Sequence, residues 1–422
     1  MTESWSRREV LSGLATGVAA AGLPASAAAA SREKAVSALR IRTFTAGVEL
    51  KDAADGAALE RALAFAGRAR HRAQEAGFEV QTIRVATNPL VAALSASQRD
   101  ATLANLKKLD AIADGAGAVL SIGPVLTDDR YDPALAEWAV SLTRETRRIS
   151  FSVDVVSSNH GVQRRAVRTA AQAIAALSKV DPSGVANFRF AAAASVPDGT
   201  PFFPIARHRG PDSIAIGVES PGIVQAAWAG GADQEGSEDR LRQSLDSQLA
   251  PIESLGMKIG AAEGIQYLGI DPSPAPGMDR SIGAAIETCT GFPFGYPSTL
   301  QACATITGAL KTLRVRTCGY AGLMLPVLED PVLAKRANEQ RYGIQELLLY
   351  STVCGTGLDV VPLAGDVSTE DLARIIGDVA TLAARLRKAL SARLFPVPGK
   401  KAGDIVSFSD PLLTACRVFD LR

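Results

Sequence analysis

Short apolar runs rich in β-branched residues alternate with longer stretches of helical periodicity from Leu39 onwards. The short runs have the length of buried strands, and the longer stretches place apolar residues three and four positions apart. The predicted strands cover residues 39–50, 78–86, 117–125, 150–157, 186–195 and 213–219, and the predicted helices cover 56–76, 97–115, 132–148 and 161–179. Ser97 is expected to cap the helix that it begins. Because strands that alternate with helices pair in parallel, this pattern predicts a parallel α/β sheet.

The second half of the chain keeps the alternation but adds Gly- and Pro-rich loops. Helices are predicted over 298–313 and 340–353, and a third over 369–390 has one continuous apolar face. No shift of composition separates the halves, so residues 31–422 are expected to form one domain. A closed barrel accommodates this many strand–helix units better than an open sheet. The expected fold is therefore an α/β barrel with its helices outside.

The first thirty residues have the pattern of a twin-arginine export signal. Arg7 and Arg8 precede a weakly apolar Ala- and Gly-rich run, and residues 25–27 form a small-residue cleavage site. The run is too short and too weakly apolar for stable membrane insertion. We therefore expect residues 1–30 to be removed from a chain exported to the periplasm or the extracellular space. A short helix with two solvated arginines is the alternative.

Composition and charge narrow the classes of partner. The 422 residues are 47% hydrophobic, enough for a large buried core. Because 45 Lys and Arg face 44 Asp and Glu, the chain lacks the positive field that nucleic acid requires, and no nucleic-acid partner is expected. With three histidines and no CxxC or HExxH spacing, any bound metal is expected to have oxygen ligands. Association into a homo-oligomer is compatible with the sequence.

A basic turn follows the predicted strand over 186–195. The loop after this strand ends in Arg207, His208 and Arg209. A histidine between two arginines stays largely neutral near pH 7, so His208 is a candidate base, and the two arginines are candidate substrate contacts. A solvated basic turn is the alternative interpretation.

A strand-to-helix turn is predicted at residues 220–222. Ser220 is expected to be the N-cap and Pro221 the first helical residue. Free N–H groups at such a turn suit a carboxylate or phosphate, so Ser220 and Gly222 are candidate substrate contacts, with ordinary capping as the alternative. The turn is not a dinucleotide, P-loop or serine-hydrolase motif.

Two aspartates stand beside apolar runs. Asp271 ends a run and begins a Pro-rich loop, and Asp359 lies among Gly and apolar residues. A carboxylate buried in such surroundings must be paired, metal-bound or protonated. We predict His208, Asp271 and Asp359 as catalytic residues that meet at one rim of the barrel, and Glu219 with Asp271 as candidate ligands of Ca²⁺ or Mg²⁺. A helix cap or a backbone clamp is the alternative for each carboxylate.

The chain resembles the uncharacterised DUF711 family, also called UPF0210. The similar segments cover 41–48, 217–224, 269–276, 354–360 and 400–404. The resemblance extends over nearly all of the mature chain. It departs where this sequence has Arg-His-Arg-Gly instead of the family's Phe-His-Gly, and at Glu219, where the family has a small residue. It implies a ten-stranded α/β barrel similar to that of pyruvate-formate-lyase-like proteins, without their radical chemistry, and it implies no known reaction.

Residues 316–320, Arg-Thr-Cys-Gly-Tyr, superficially resemble the site of glycyl-radical enzymes. That activity is not expected, because oxygen destroys such a radical and an export signal separates the chain from its cytoplasmic activase. The segment also lies about a hundred residues from the end of the chain.

The expected function is that of an exported enzyme, a hydrolase or lyase acting on a small polar or anionic metabolite. Acid–base chemistry of Asp and His, or assistance by a metal ion, would carry the reaction. Redox chemistry is disfavoured because no nucleotide or flavin motif is present. The alternative is a non-catalytic extracytoplasmic protein that binds a small ligand.

Overall fold

A ten-stranded mixed sheet with helices around it forms the centre of the molecule. The structure is a computed structural model, and it describes residues 39–157, 161–228 and 236–421. The strands of the sheet are β1 (Arg40–Val48), β2 (Val80–Thr87), β3 (Val119–Leu126), β4 (Ile149–Ser157), β5 (Gly161–Val162), β6 (Phe190–Ala194), β7 (Ser213–Glu219), β8 (Gln266–Asp271), β9 (Gly357–Ala364) and β10 (Leu390–Val397). A separate two-stranded sheet joins β11 (Ile405–Val406) and β12 (Cys416–Arg417).

The helices cover the outside of the sheet. The α-helices of the described ranges are α1 (Gly56–Glu75), α2 (Ala96–Ala101), α3 (Leu103–Gly115), α4 (Ala134–Glu145), α5 (Arg164–Leu177), α6 (Pro221–Ala227), α7 (Ser237–Glu263), α8 (Ile282–Thr290), α9 (Thr299–Lys311), α10 (Pro331–Asn338), α11 (Ile344–Ser351) and α12 (Thr369–Leu386). A 3₁₀-helix over Val185–Arg189 leads into β6. Helix α1 packs on β1 and β2 through an apolar face that includes Leu59 and Phe65, and one apolar core extends from Leu39 to Phe419.

Strand direction changes twice across the sheet. The order is β8-β7-β1-β2-β3-β4-β6-β10-β9, with β5 beside β4. Strands β1, β2, β3, β4 and β6 are parallel, but β7 is antiparallel to β1 and β10 is antiparallel to β6. The prediction that β7 continues the parallel set is wrong. A loop without a helical crossover joins β6 to β7, so β7 returns in the opposite direction.

The expected closed barrel is not formed by strand pairing, because β8 and β9 are the two edges of the strand order in the described chain. Residues 316–327, which we call the bridging segment, lie against both edges. The Ile270 N–H in β8 donates to the carbonyl of Arg316 at 2.9 Å, and the Val327 N–H donates to the carbonyl of Asp359 in β9 at 3.1 Å. An irregular segment thus satisfies part of the hydrogen-bonding capacity of both edge strands.

Most predicted elements are present with shifted ends, and two helix predictions need correction. The pattern over 97–115 forms two helices, and Ser95 caps the first of them through a capping box, so the assignment of the cap to Ser97 is wrong. The pattern over 369–390 joins α12 to the start of β10. Helix α12 ends because Arg387 adopts the left-handed region with a φ of 51°.

Asp330 ties two helices to the core. Its buried carboxylate accepts hydrogen bonds from the Ser281 hydroxyl at 2.6 Å and the Ile282 N–H at 2.7 Å, both at the start of α8. It also accepts from the N–H groups of Val332 at 2.9 Å and Leu333 at 3.0 Å, and is therefore the N-cap of α10. One carboxylate thus satisfies the first turns of two helices.

We expect Asp330→Ala to lower the free energy of unfolding by about 3 kcal/mol or more, because several buried N–H groups lose their acceptor. Urea denaturation measures the change. The exposed Asp100 provides a control, since Asp100→Ala should stay within about 0.5 kcal/mol of the parent. Similar losses in both variants would contradict the assigned role.

Candidate functional site

A cavity of about 980 Å³ lies at the amino-terminal ends of β1, β2 and β3. Its volume is that of pockets for small organic ligands. The loop after β6, the bridging segment and strands β9 and β10 form the opposite walls, and the cavity reaches the surface beside Arg70, Gln74 and Glu79. Its charged side chains are five arginines and three carboxylates: Arg40, Arg42, Arg70, Arg84, Arg393, Glu79, Glu329 and Asp359.

Strand geometry explains why these side chains share one space. Side chains two positions apart on a strand face the same side. Arg40 and Arg42 are related in this way on β1, as are Thr82 and Arg84 on β2. Arg393 follows Ser391 by two positions on β10, and both line the cavity.

A local irregularity brings β9 and β10 side chains together. The register between the two strands shifts opposite Arg393, where Asp359 and Val360 of β9 face a single residue of β10. Val360 has a φ of 45°, which is strained for a β-branched residue. Such a bulge re-aims side chains, and here Asp359 meets Arg393 at 2.8 Å between Oδ1 and Nη1.

A chain of alternating charges runs through the cavity wall. Arg42 pairs through Nη1 with the buried Glu219, and its Nη2 lies 3.5 Å from Glu329 Oε2. Arg393 Nη1 lies 3.3 Å from Glu329 Oε1 and also pairs with Asp359. Three carboxylates and two guanidinium groups from distant parts of the chain thus form one network, which we call the charge network.

Asp359 is the most buried carboxyl group that the cavity contacts. Burial raises the pKa of Asp359, the positive charge of Arg393 opposes that rise, and the negative charge of Glu329 adds to it. A carboxyl group with a raised pKa exchanges protons closer to neutral pH than an exposed one. Asp359 therefore has the environment of an acid–base group.

Asp271 holds the bridging segment in place. Its Oδ2 accepts the Tyr320 N–H at 2.8 Å, and its Oδ1 accepts the Ala321 N–H at 3.1 Å and the Ser273 hydroxyl at 2.6 Å. Burial raises the pKa of Asp271, and these hydrogen bonds oppose the rise. The geometry therefore agrees with the backbone-clamp alternative, and Asp271 does not line the cavity.

The clamp positions Tyr320 in the cavity wall. Lys311 Nζ donates to the Tyr320 carbonyl at 2.9 Å, so both backbone polar groups of Tyr320 are bound by side chains. The Tyr320 hydroxyl donates to Ser391 Oγ at 2.9 Å, and Ser391 in turn donates to the Thr356 carbonyl at 3.1 Å. The bridging segment thus contributes a fixed hydroxyl group to the cavity.

The predicted basic turn lies apart from the cavity. Arg207 forms a buried two-point pair with Asp154, with distances of 2.6 and 3.0 Å. His208 is buried, with Nδ1 3.2 Å from Ser213 Oγ and Nε2 2.9 Å from the Gly210 carbonyl. Both side chains are occupied by contacts that stabilise the loop, and the roles predicted for them stay untested.

The remaining predicted substrate contacts are also outside the cavity lining. Arg209 is exposed, 3.6 Å from Asp198. Ser220 is the N-cap of α6 and Pro221 its first residue, as predicted, but the Ser220 side chain makes no capping hydrogen bond. Gly222 follows in the first turn of this short helix.

Strand direction explains why the predicted catalytic residues do not share one rim. The His208 N–H donates to the carbonyl of Thr87, at the carboxyl end of β2. Asp271 lies at the carboxyl end of β8, which runs opposite to β2, so the two residues lie toward opposite ends of the strands. The expectation of a single rim is therefore wrong. Of the predicted catalytic residues, Asp359 lines the cavity and the other two do not.

The geometry gives no support to the predicted cation ligands. Within the described ranges, no three His, Cys, Asp or Glu side chains are grouped in a way that could hold a metal ion. Glu219 pairs with Arg42, and Asp271 is bound by backbone N–H groups. A cation site at these two residues stays a prediction.

Several cavity residues were not singled out by the sequence patterns. Arg84, Arg393 and Glu329 carry no motif, and Tyr320 was noted only as the last residue of the Arg-Thr-Cys-Gly-Tyr segment. The available signal was an arginine inside a strand of otherwise apolar or small residues, as Arg84 stands in β2 and Arg393 in β10. Such a residue is costly to bury and marks either an ion pair or a ligand site.

The structure is that of an α/β protein with a mixed sheet. A charged cavity of the size of a small ligand is enclosed by strands of this sheet, the loop after β6 and the bridging segment. Residues 35–409 match the family model described as Uncharacterised ACR (DUF711). The chain is 32% identical to a UPF0210 protein of Pyrobaculum islandicum over 354 residues, which cover 79% of this chain and 77% of that protein. It is 30% identical to a UPF0210 protein of Desulforudis audaxviator over 402 residues, 88% of each chain. The chain belongs to the DUF711 (UPF0210) family.

In the part of the chain that the structure describes, no helix combines the length and the apolar character needed to cross a membrane.

We expect Arg393→Met to destabilise the fold by about 3 kcal/mol at pH 8, because Asp359 and Glu329 lose their shared cation. Without Arg393, the pKa of Asp359 in the folded state rises further above its unfolded value. A raised folded-state pKa makes stability fall as pH rises above about 4, so the loss should be smaller at pH 5 than at pH 8.

Urea denaturation at both pH values measures this difference. Arg374 forms an exposed ion pair with Asp371, and Arg374→Met should cost less than about 1 kcal/mol at either pH. A loss in Arg393→Met that does not depend on pH would show that the carboxylates are not the affected groups.

Proposed function

We propose that this protein is an enzyme, a hydrolase or lyase, that binds a small organic anion in the cavity and transfers protons through Asp359. The observation that carries the proposal is that Asp359 and Glu329 both pair with Arg393 in the wall of a ligand-sized cavity. Perturbed titratable groups in a concave site are typical of catalysis.

The charge of the lining favours an anion. Five arginines and three carboxylates line the cavity, so guanidinium groups outnumber carboxylates among the side chains that a ligand can contact. Charged side chains along a concave, poorly hydrated surface attract ligands of the opposite sign more strongly than an open surface does. A neutral or cationic ligand would not use this excess.

The proposed chemistry uses two groups of the charge network. The Asp359 carboxylate accepts a proton from an attacking water in hydrolysis, or from the substrate in a lyase reaction, and returns it to the leaving group. Arg393 lines the cavity beside Asp359, so its positive charge can stabilise a substrate oxygen that gains negative charge. Arg393 thus orients the base and stabilises the charge that the base creates.

A non-catalytic binding protein is the second candidate. The favouring observation is that Asp359 and Glu329 are both ion-paired, an arrangement that also serves a purely structural site. Recovery of an unchanged ligand after prolonged incubation would favour this function, and formation of a product decides for the enzyme.

Asp359→Asn tests the catalytic role. The purified protein is incubated with a library of small esters, amides, lactones and hydroxy acids, and products are detected by mass spectrometry. For a substrate found in this way, we expect turnover by Asp359→Asn to fall by at least about 100-fold, because the amide cannot accept the proton. Ligand binding should remain.

The matched control is the exposed Asp100→Asn, which should keep full turnover. Full turnover by Asp359→Asn, with its fold verified by circular dichroism, would remove Asp359 from the mechanism.

We also propose that the protein acts outside the cytoplasm, in the periplasm or the extracellular space. The support is the arginine pair and the cleavage site in residues 1–30, which lie outside the described residues. Replacing Arg7 and Arg8 together by lysine is expected to retain the chain in the cytoplasm, as measured by cell fractionation and immunoblotting. Arg32→Lys lies beyond the signal and should leave export unchanged. Equal export of all three chains would contradict the proposal.

We also propose that the sheet and the bridging segment together form a barrel similar to that of pyruvate-formate-lyase-like proteins. The hydrogen bonds of the bridging segment to β8 and β9 occupy both edges that a barrel would have to join. In this arrangement the cavity lies inside the barrel.

A further inference from the structure

Arg84 is half-buried, and it differs from the buried arginines of the described chain in having no hydrogen-bond or ion-pair partner. Among the described residues, no carboxylate and no hydrogen-bond acceptor contacts its side chain, and its Nε is shielded from solvent. By contrast, Arg189 donates to the carbonyls of Ile149 and Thr146, and Arg99 pairs with Asp132. A guanidinium enclosed in the protein without an acceptor is costly in free energy, and Arg189 and Arg99 avoid that cost.

The charges near Arg84 make its protonated form less favourable. Burial lowers the pKa of Arg84 to about 9, the positive charge of Arg42 lowers it further, Glu329 opposes this, and Arg393 adds to it. The group is still protonated at neutral pH. Since Glu329 and Asp359 are already bound to Arg42 and Arg393, neither carboxylate is within ion-pairing distance of the Arg84 guanidinium.

We propose that Arg84 binds the carboxylate of the substrate and that the substrate is an organic monocarboxylate with an apolar body. This inference rests on the proposed function and identifies the ligand class of the same cavity. A carboxylate matches the two-point donor geometry of a guanidinium and supplies the acceptor oxygens that the Arg84 side chain lacks.

Aromatic side chains beside Arg84 account for the apolar body. The Arg84 guanidinium lies 5.8 Å from the ring centre of Phe203, and this ring lies 5.7 Å from that of Phe188. Phe202 and Met324 continue the same lining. A flat or extended hydrocarbon chain attached to the carboxylate would contact these side chains, and burial of its surface would add to the affinity.

A phosphate group fits this site less well. A phosphate monoester carries nearly two charges and three acceptor oxygens, and sites for it usually supply several backbone N–H groups. Around Arg84 the lining offers one unpaired guanidinium and aromatic rings. A monoanion therefore fits better than a dianion.

Binding measurements test the anchor without requiring turnover. The complete mature chain is titrated by calorimetry with phenylacetate, hexanoate and octanoate, with phenylacetamide as the neutral analogue and phenyl phosphate as the dianion. We expect at least one carboxylate to bind, and to bind more tightly than the amide and the phosphate.

Two variants of Arg84 test whether this residue binds the carboxylate, and an Arg61 variant is the control. Arg84→Met keeps the length of the side chain and removes its charge, and it should weaken carboxylate binding by about 10- to 100-fold. Arg84→Lys keeps the charge but not the two-point geometry, so it should show an intermediate loss. Arg61→Met removes the same charge from the exposed face of α1 and should bind like the parent.

A stability readout separates a ligand anchor from a structural arginine. Because the Arg84 side chain makes no hydrogen bond or ion pair in the described chain, Arg84→Met should keep or raise the melting temperature, whereas loss of a structural arginine would lower it. Equal carboxylate binding by Arg84→Met and the parent, or tighter binding of phenyl phosphate than of every carboxylate, would overturn the inference. Absence of binding by all three carboxylates would overturn it as well.

These outcomes are independent of the catalytic proposal. Failure of the Arg84 anchor would leave the turnover test of Asp359→Asn unaffected. Failure of Asp359→Asn to lose turnover would likewise leave the binding results at Arg84 valid.

Discussion

Buried charge has to be neutralised where it lies, and this constraint organises the centre of the molecule. In a poorly hydrated interior, an unpaired carboxylate or guanidinium costs far more free energy than a buried apolar group. Glu219, Arg42, Glu329, Arg393 and Asp359 meet that constraint as one network. The network links β7, β1, β10 and β9 with Glu329, which lies two residues after the bridging segment, so the strands that form the cavity are also held to one another by these charges.

Local patterns predicted most strands and helices because the period of apolar residues is a property of neighbouring positions. The strand over 213–219 was predicted with its final bounds, yet its direction was not, because direction depends on whether a loop or a crossover helix precedes it. The bridging segment had no periodic signal. Its place between β8 and β9 is set by hydrogen bonds to residues far away in sequence.

The candidate site also combines residues that a local pattern predicts with residues whose roles depend on distant contacts. Asp359 was identified from a carboxylate among apolar neighbours, and the structure places it in the cavity. Asp271 has the same local pattern but serves as a clamp, since its partners Tyr320 and Ala321 are about fifty positions away. Arg84 and Arg393 lie in strands without a motif. Their meeting requires the complete sheet, and no local pattern contains that information.

The opening of the cavity has a consequence for the kinetics of capture. Arg40 and Arg70 line the cavity on the side where it reaches the surface, and the exposed Glu79 is the carboxylate nearest to them in the lining. Positive side chains at a concave entrance guide anions inward, and dissolved salt screens this attraction over about 8 Å at physiological ionic strength. The association rate of an anionic ligand should therefore fall as the salt concentration rises. Binding of an anionic ligand would therefore be fastest at low salt concentration.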